Sequence, residues 1–345
     1  LDALGPAVEL IAQKHCSLGV KPEHYPIVGK HLIDAIKEVM GDGATDEIIT
    51  AVAEAYGVLA DVCIDRESQV YDDQASAPGG WNGMREFTVD RKVKESELVT
   101  SFYLKPTDGN PLRDFVPGQY ITLKIDHPET PTSPRNYSLS DAPGQAHYRI
   151  SVKRESAPDA IEAESTAPDG LISNYLHDHV QECDTLQVGP PCGEFTLDVA
   201  APIACPVVFL AGGIGVTPLL SMAKSLVAAK VDTPVYFLQA ARDSGVHAMG
   251  AEVDALKTSR SNVKTHVVYD QPLANDLESG KCDSVGRIDA ALIRDWAPVA
   301  DAQFYFCGPE PFMDAVAAIL KELGVDESRV HFEFFGPLQS LTANA

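Results

Sequence analysis

The sequence predicts a multidomain chain of class α + β + α/β. A helical part covers residues 1–78, an antiparallel β-barrel 82–199, and a parallel-sheet α/β domain 202–345. Three observations carry that prediction. Apolar residues first recur at helical spacing. Short alternating strands with Pro and Gly turns then take over. Apolar strands that alternate with helical stretches fill the last part. With 345 residues and a hydrophobic fraction of 45%, the chain can bury more than one core.

In the helical part, Ala7, Leu10 and Ile11 lead into Lys14-His15-Cys16, and Gly19 and Pro22 break the run. Val28, Leu32, Ile36 and Met40 form the apolar stripe of a second helix, which Gly41-Asp42-Gly43 ends. Thr45 reads as an N-cap, with Asp46 and Glu47 where a helix dipole favours acids. Ile48, Val52, Tyr56, Leu59 and Cys63 stripe the helix that follows, and Pro78-Gly79-Gly80-Trp81 marks a boundary. Barrel strands are expected at 87–89, 99–103, 120–123 and 148–152, with a single helix near 173–179. The acidic, Ala/Pro-rich stretch 155–169 reads as a mobile loop. Parallel strands are expected at 207–211, 235–239, 263–269 and 304–307.

Charge and cysteine usage narrow the function. A formal net charge of −23 argues against nucleic acid or an anionic membrane surface as partner. No apolar run is long enough for a transmembrane helix, and no basic segment with a cleavage site opens the chain. The 7 cysteines are scattered and never spaced Cys-x-x-Cys, which excludes iron–sulfur and zinc clusters of familiar spacing and fits a reducing cytoplasm. The chain begins at Leu1 within helical-looking sequence and reads as a fragment.

Arg135-Asn136-Tyr137-Ser138 offers what a flavin needs: a cation for phosphate, an aromatic face, and a hydroxyl for a ring nitrogen. Alone, it also fits a strand end with a surface arginine. Two companions strengthen the flavin reading. Pro117-Gly118-Gln119-Tyr120 puts Tyr120 at the same barrel mouth, and Gly170 through Leu176 places Gly170 and a capping Ser173 at a helix N-terminus, an anion site. The nicotinamide signal is Gly212-Gly213-Ile214-Gly215-Val216-Thr217-Pro218, a glycine-rich turn between a buried strand and a helix with proline near its start. A second strand ends in Cys307-Gly308-Pro309 at the same sheet edge, where ligands of open α/β sheets bind. Cys307 has no general base beside it in sequence and is read as packing. Arg242 could meet a 2′-phosphate or be merely solvated, so NADH and NADPH both stay open.

In this order the motifs resemble the ferredoxin–NADP⁺ reductase superfamily. Glu333-Phe334-Phe335-Gly336-Pro337, with the segments around Lys14-His15-Cys16, Lys21 through Tyr25, Ala55 through Ala60 and Arg66-Glu67, is similar to the flavohemoglobin (nitric oxide dioxygenase) family. The resemblance covers essentially the whole chain. It implies the C-terminal, proximal part of a globin domain over 1–78, an FAD-binding barrel over 82–199 and an NAD(P)-binding domain over 202–345. It implies that His15 ligates haem iron, with Tyr25 and Glu67 hydrogen-bonded around it, and that Lys14 and Glu333 tune the haem and flavin potentials. Tyr120, Arg135, Asn136, Tyr137, Ser138, Phe334, Phe335, Gly336 and Pro337 match flavin contacts, joined by Gly170 and Ser173. Gly213, Ile214, Gly215, Val216, Thr217 and Pro218 match nicotinamide-nucleotide contacts, with Cys307 and Gly308 beside them. The family carries a further stretch, with the first globin helices and distal haem residues, ahead of the position of Leu1.

The expected cofactors are therefore haem b, FAD and NAD(P)H. NAD(P)H would reduce FAD, FAD would reduce haem iron, and haem-bound O2 would oxidise NO to nitrate in a cytoplasmic, monomeric enzyme. NO, O2 and NAD(P)H would be its only partners. The rival expectations are a flavin reductase that serves a separate acceptor and a haem-based oxygen or redox sensor.

Overall fold

The computed structural model describes residues 5–128, 130–157 and 168–336. Three helices open the chain: α1 (Gly5–Leu18), α2 (Tyr25–Met40) and α3 (Asp46–Ser76). Thr45 caps α3 as expected, accepting from the Ile48 N–H at 3.4 Å, an interaction of about 1 kcal/mol. The stripe on α2 does not form a core. Val28, Leu32 and Met40 are exposed, as are Ile48 and Leu59 of α3. Periodicity marks a helix as amphipathic, but does not say what covers its apolar face. The buried helical core is small, centred on Tyr25, Ala60 and Cys63.

Six strands follow: β1 (Arg85–Lys94), β2 (Val99–Pro106), β3 (Tyr120–Lys124), β4 (Arg135–Ser138), β5 (Tyr148–Lys153) and β6 (Thr185–Val188), with α4 (Leu171–Asp178) between the last two. They form one antiparallel sheet in the order β4-β3-β6-β1-β2-β5. A bridge between Leu139 and Ile150 joins the two edges and closes the barrel. Phe87, Phe102, Ile121, Leu139 and Ile150, all fully buried, fill it. The expected mobile loop falls largely on residues 158–167, outside the described residues.

The last part alternates β7 (Val207–Gly212), α5 (Val216–Ala228), β8 (Val235–Ala241), α6 (Gly250–Ser259), β9 (Val263–Tyr269), α7 (Ala274–Glu278), β10 (Ser284–Val285), α8 (Ala290–Trp296), β11 (Gln303–Cys307), α9 (Glu310–Glu322) and β12 (Val330–Glu333). The sheet is parallel, in the order β10-β9-β8-β7-β11-β12. β7 lies beside β8 on one side and β11 on the other, so the strand order reverses there, and the carboxyl end of such a switch point is where ligands bind. Both faces are covered. Phe209, Phe237 and Leu220 pack on one side, and Leu210, Phe304 and Met313 on the other. β10 and β12 were not expected from the sequence. No described helix is long and apolar enough to cross a membrane.

Candidate functional site

The helical region is organised around one polar cluster. His15, on the last turn of α1, brings its Nδ1 to 2.7 Å from Glu67 Oε1 and 3.0 Å from the Tyr25 hydroxyl. The Tyr25 hydroxyl donates to the same carboxylate oxygen. Glu67 is 2% exposed, and its Oε2 is buried without a hydrogen-bond partner. Burial, and then the adjoining Glu67 carboxylate, push the Tyr25 phenol well above its usual range, so it stays a donor. An acceptor of this kind draws the imidazole proton onto Nδ1 and leaves the Nε2 lone pair outward. No described residue bonds that nitrogen, and the His15 side chain is 34% exposed.

A cavity of about 640 Å³ lies where the three regions meet. Lys14 and Leu18 reach it from α1, Tyr120 from β3, Arg135 through Ser138 from β4, and Gly170 and Ser173 from the start of α4. Ile214 and Thr217 reach it from the turn after β7, and Glu333 through Gly336 from beyond β12. Register explains part of this convergence: Tyr120 is paired with Ser138 across β3 and β4. The Tyr120 hydroxyl is buried beside Ser17. Among the described residues the Arg135 guanidinium donates only to the carbonyls of Ser133 and Pro134, and Arg135 is exposed. The Asn136 side-chain oxygen accepts from Thr122 Oγ1 at 2.8 Å. Burial pushes the Glu333 carboxyl up to about 8, against the opposing pull of Lys14.

The turn after β7 is built around glycine. Gly213 has φ +51 with open space around it, so its backbone can meet a ligand. A Cβ on Gly215 would lie 2.1 Å from the Cys307 carbonyl oxygen, so the turn and the end of β11 touch backbone to backbone. Phe312 presses on Gly212 and Gly308 in the same way, a contact the sequence did not suggest. Cys307 is fully buried, and burial and then the Glu333 charge hold its thiol well above the usual range. It packs and does not act as a nucleophile.

Several sequence expectations change. Ser173 is not the cap of α4. Gly170 is the N-cap, and the Ser173 hydroxyl donates back to the Gly170 carbonyl at 3.0 Å. Val216 and Pro218 are buried in the core face of α5 and do not line the cavity, whereas Ile214 and Thr217 do. Thr217 donates its hydroxyl to the Ile214 carbonyl at 2.9 Å. Arg242 is paired with Asp243 at 2.9 Å. Pro337 lies outside the described residues. Leu18, Ser151 and Lys153 also line the cavity. The alternation along β5 could have flagged Ser151 and Lys153.

The residues present fit the groups the sequence implies. An imidazole nitrogen that no described residue bonds, in a helical region that leaves Ile27, Val28, Leu32, Val58 and Leu59 of α2 and α3 exposed, suits a metal carried in an apolar macrocycle. The exposed Arg135 guanidinium and the Tyr137 ring on the cavity wall suit the phosphate and the ring system of a flavin. The open Gly213 at a helix N-terminus suits a pyrophosphate.

Comparison with known proteins gives two domain matches: Globin over residues 1–63 and Oxidoreductase NAD-binding domain over 209–318. The chain is 61% identical over 342 residues to a flavohemoprotein of Rhodopirellula baltica, covering 99% of this chain and 82% of that protein. A flavohemoprotein of Bacillus thuringiensis is 47% identical over the same shares of both chains. The structure superposes on the flavohemoglobin of Malassezia yamatoensis with bound FAD and heme at TM-score 0.82 and 25% identity, covering 96% of this chain and 79% of that one. It also matches the FAD/NAD binding domain of the nitric oxide dioxygenase of Vibrio cholerae at TM-score 0.64 and 34% identity, covering 74% of this chain and 100% of that one.

Proposed function

This chain belongs to the flavohemoprotein family, and on that premise we propose that it is a nitric oxide dioxygenase. It is an NAD(P)H-dependent oxidoreductase with haem, FAD and nicotinamide sites. In the proposed reaction the electrons of NAD(P)H are delivered through FAD and haem b so that NO and O2 combine as nitrate. One observation carries the reading: Lys14, next to His15, lines the same cavity as Tyr137 of the flavin strand and Ile214 of the nucleotide turn.

When bound, the flavin splits a hydride into single electrons and the haem iron offers a site for O2. The chain's residues do the rest. Glu67 holds the proton on His15 Nδ1 and lends the imidazole anionic character, which enriches the ligand nitrogen that faces outward. Tyr25 donates to the same oxygen and fixes the carboxylate's rotamer. Arg135 offers a guanidinium to flavin phosphate, Tyr137 an aromatic face, and Ser138 a hydroxyl at the strand end. Backbone N–H groups of the turn at Gly213 hold the nucleotide pyrophosphate, while buried Cys307 closes the floor beneath it. Phe334 and Phe335 offer further aromatic surface along the cavity wall.

The test is anaerobic NADH reduction followed by aerobic NO consumption at an electrode, with nitrate measured as product. Nitrate formed in proportion to NO, and lost in His15→Ala, is the expected result. NADH-dependent dye reduction without NO consumption would make the chain a reductase for a separate acceptor.

A further inference from the structure

The seam between the barrel and the α/β domain is apolar in places and ionic in one. Phe195 meets Tyr305 across it, and Met222 packs under Gly118. Beside these runs a chain of four charges, in which Arg149 is buried and the other three are partly exposed. Arg149 of β5, with its side chain 2% exposed, donates to Glu252 of α6 at 2.6 Å. Lys224 of α5 donates to the other Glu252 oxygen and, at 2.8 Å, to Asp141 of the loop after β4. Arg149 also donates to both the hydroxyl and the carbonyl of Ser140, and Ser221 of α5 donates to the Asp141 carbonyl at 2.7 Å. Two further titratable groups are present: His147 holds its Nε2 3.7 Å from Asp141, and the Tyr103 hydroxyl accepts from Arg149 at 3.5 Å. Two charges come from each domain, their signs alternate, and they sum to zero.

Asp141 follows Ser138, the end of the flavin strand, by three residues. Lys224 and Ser221 lie on the helix that starts at the nucleotide turn. We propose that the Asp141–Lys224–Glu252–Arg149 chain of ion pairs is a positioning clasp, which fixes the nicotinamide turn relative to the flavin strand for hydride transfer. Ion pairs withdrawn from water are a poor source of stability compared with apolar packing. Their bonds are directional, however, whereas an apolar seam can slide. Hydride transfer needs reacting atoms about 3–3.5 Å apart, and a displacement of about 1 Å can cost roughly a hundredfold. The inference rests on the reading that hydride crosses from the turn at Gly213 to a flavin held by β4.

The test compares wild type with Lys224→Met, Glu252→Gln and Lys224→Arg, using the full chain. Rapid mixing with NADH should show the limiting rate of flavin bleaching lowered about tenfold in the first two, with KM for NADH little changed. Lys224→Arg should restore it. Lys105→Met, which breaks the exposed ion pair with Asp90 inside the barrel, should bleach like wild type. A second readout uses the chain without flavin or nucleotide, spin-labelled at Cys183 and at Thr258→Cys, with Cys205 and Cys282 replaced by serine. The distance distribution should be narrow in wild type and broad in Lys224→Met. Variants that bleach at the wild-type rate, or distances equally narrow in all, would overturn the clasp. A wild type that NADH fails to bleach would instead sink the hydride reading, while the label distances would still judge the clasp.

Discussion

The helical region and the reductase region solve the problem of burial in different ways. The barrel and the α/β domain each bury phenylalanines and aliphatic side chains completely, in cores that close on themselves. The helices bury mostly small side chains, Ala12, Cys16, Ala60, Cys63 and Val70 beside Tyr25, and leave Ile27, Val28 and Val58 more than half exposed. What holds the helices together at their centre is hydrogen bonding to one carboxylate. Hydrogen bonds to charged groups contribute about 1.5–3 kcal/mol each, so the Glu67 cluster is a large share of what specifies this region. Each reductase domain can lose one polar contact and keep its core; the helices depend on theirs.

This contrast can be broken most sharply at His15. His15→Ala should abolish the haem Soret band and reduce NO consumption to background, while NADH–dye reduction continues in the self-supporting reductase. A native haem spectrum in that variant would refute the ligand. Gly215→Ala attacks the other side. Its methyl group has no room against the Cys307 backbone, so the turn must shift, and flavin bleaching by NADH should slow about a hundredfold. Unaltered bleaching would show that the turn does not carry the nucleotide. Glu67→Gln keeps the shape of the cluster and removes its charge. NO turnover should fall about tenfold with normal flavin bleaching, and an unchanged haem potential would count against the anionic ligand.

The smallest effect concerns Glu333. Its folded pKa, raised from 4.5 to about 8, means the folded state holds a proton that the unfolded state releases. Stability from this group therefore falls as pH rises through the window from about 4.5 to 8. Between pH 5 and pH 8 the wild type should lose a few degrees of Tm more than Glu333→Gln. Parallel profiles would show that the carboxyl is not buried in the way described.

Much of this was legible in sequence, because the signals were local. The Gly213 turn, the Thr45 cap and the long alternating strands follow from propensity and pattern. What stayed hidden depended on partners distant in the chain. Two-residue β10 and edge strand β12 carry too little pattern to stand out, yet β12 brings Glu333 into the cavity. Ser173 has a capping side chain, but the chain enters α4 at Gly170. The α2 stripe was read correctly as apolar, and nothing in its spacing told which surface would cover it. The Arg149–Glu252 pair spans separate domains and has no sequence signature.

Lys14 faces the cavity and His15 faces the Glu67 cluster, on adjacent residues that a helix turns about 100° apart. A flavin held in that cavity and an iron held by His15 would share a single helical wall, roughly 10–12 Å across with its side chains. Tunnelling through that wall would be a fixed, short crossing that needs no domain to swing and no carrier to diffuse. The rate at which the second half of the reaction is fed would then be set by driving force rather than by motion.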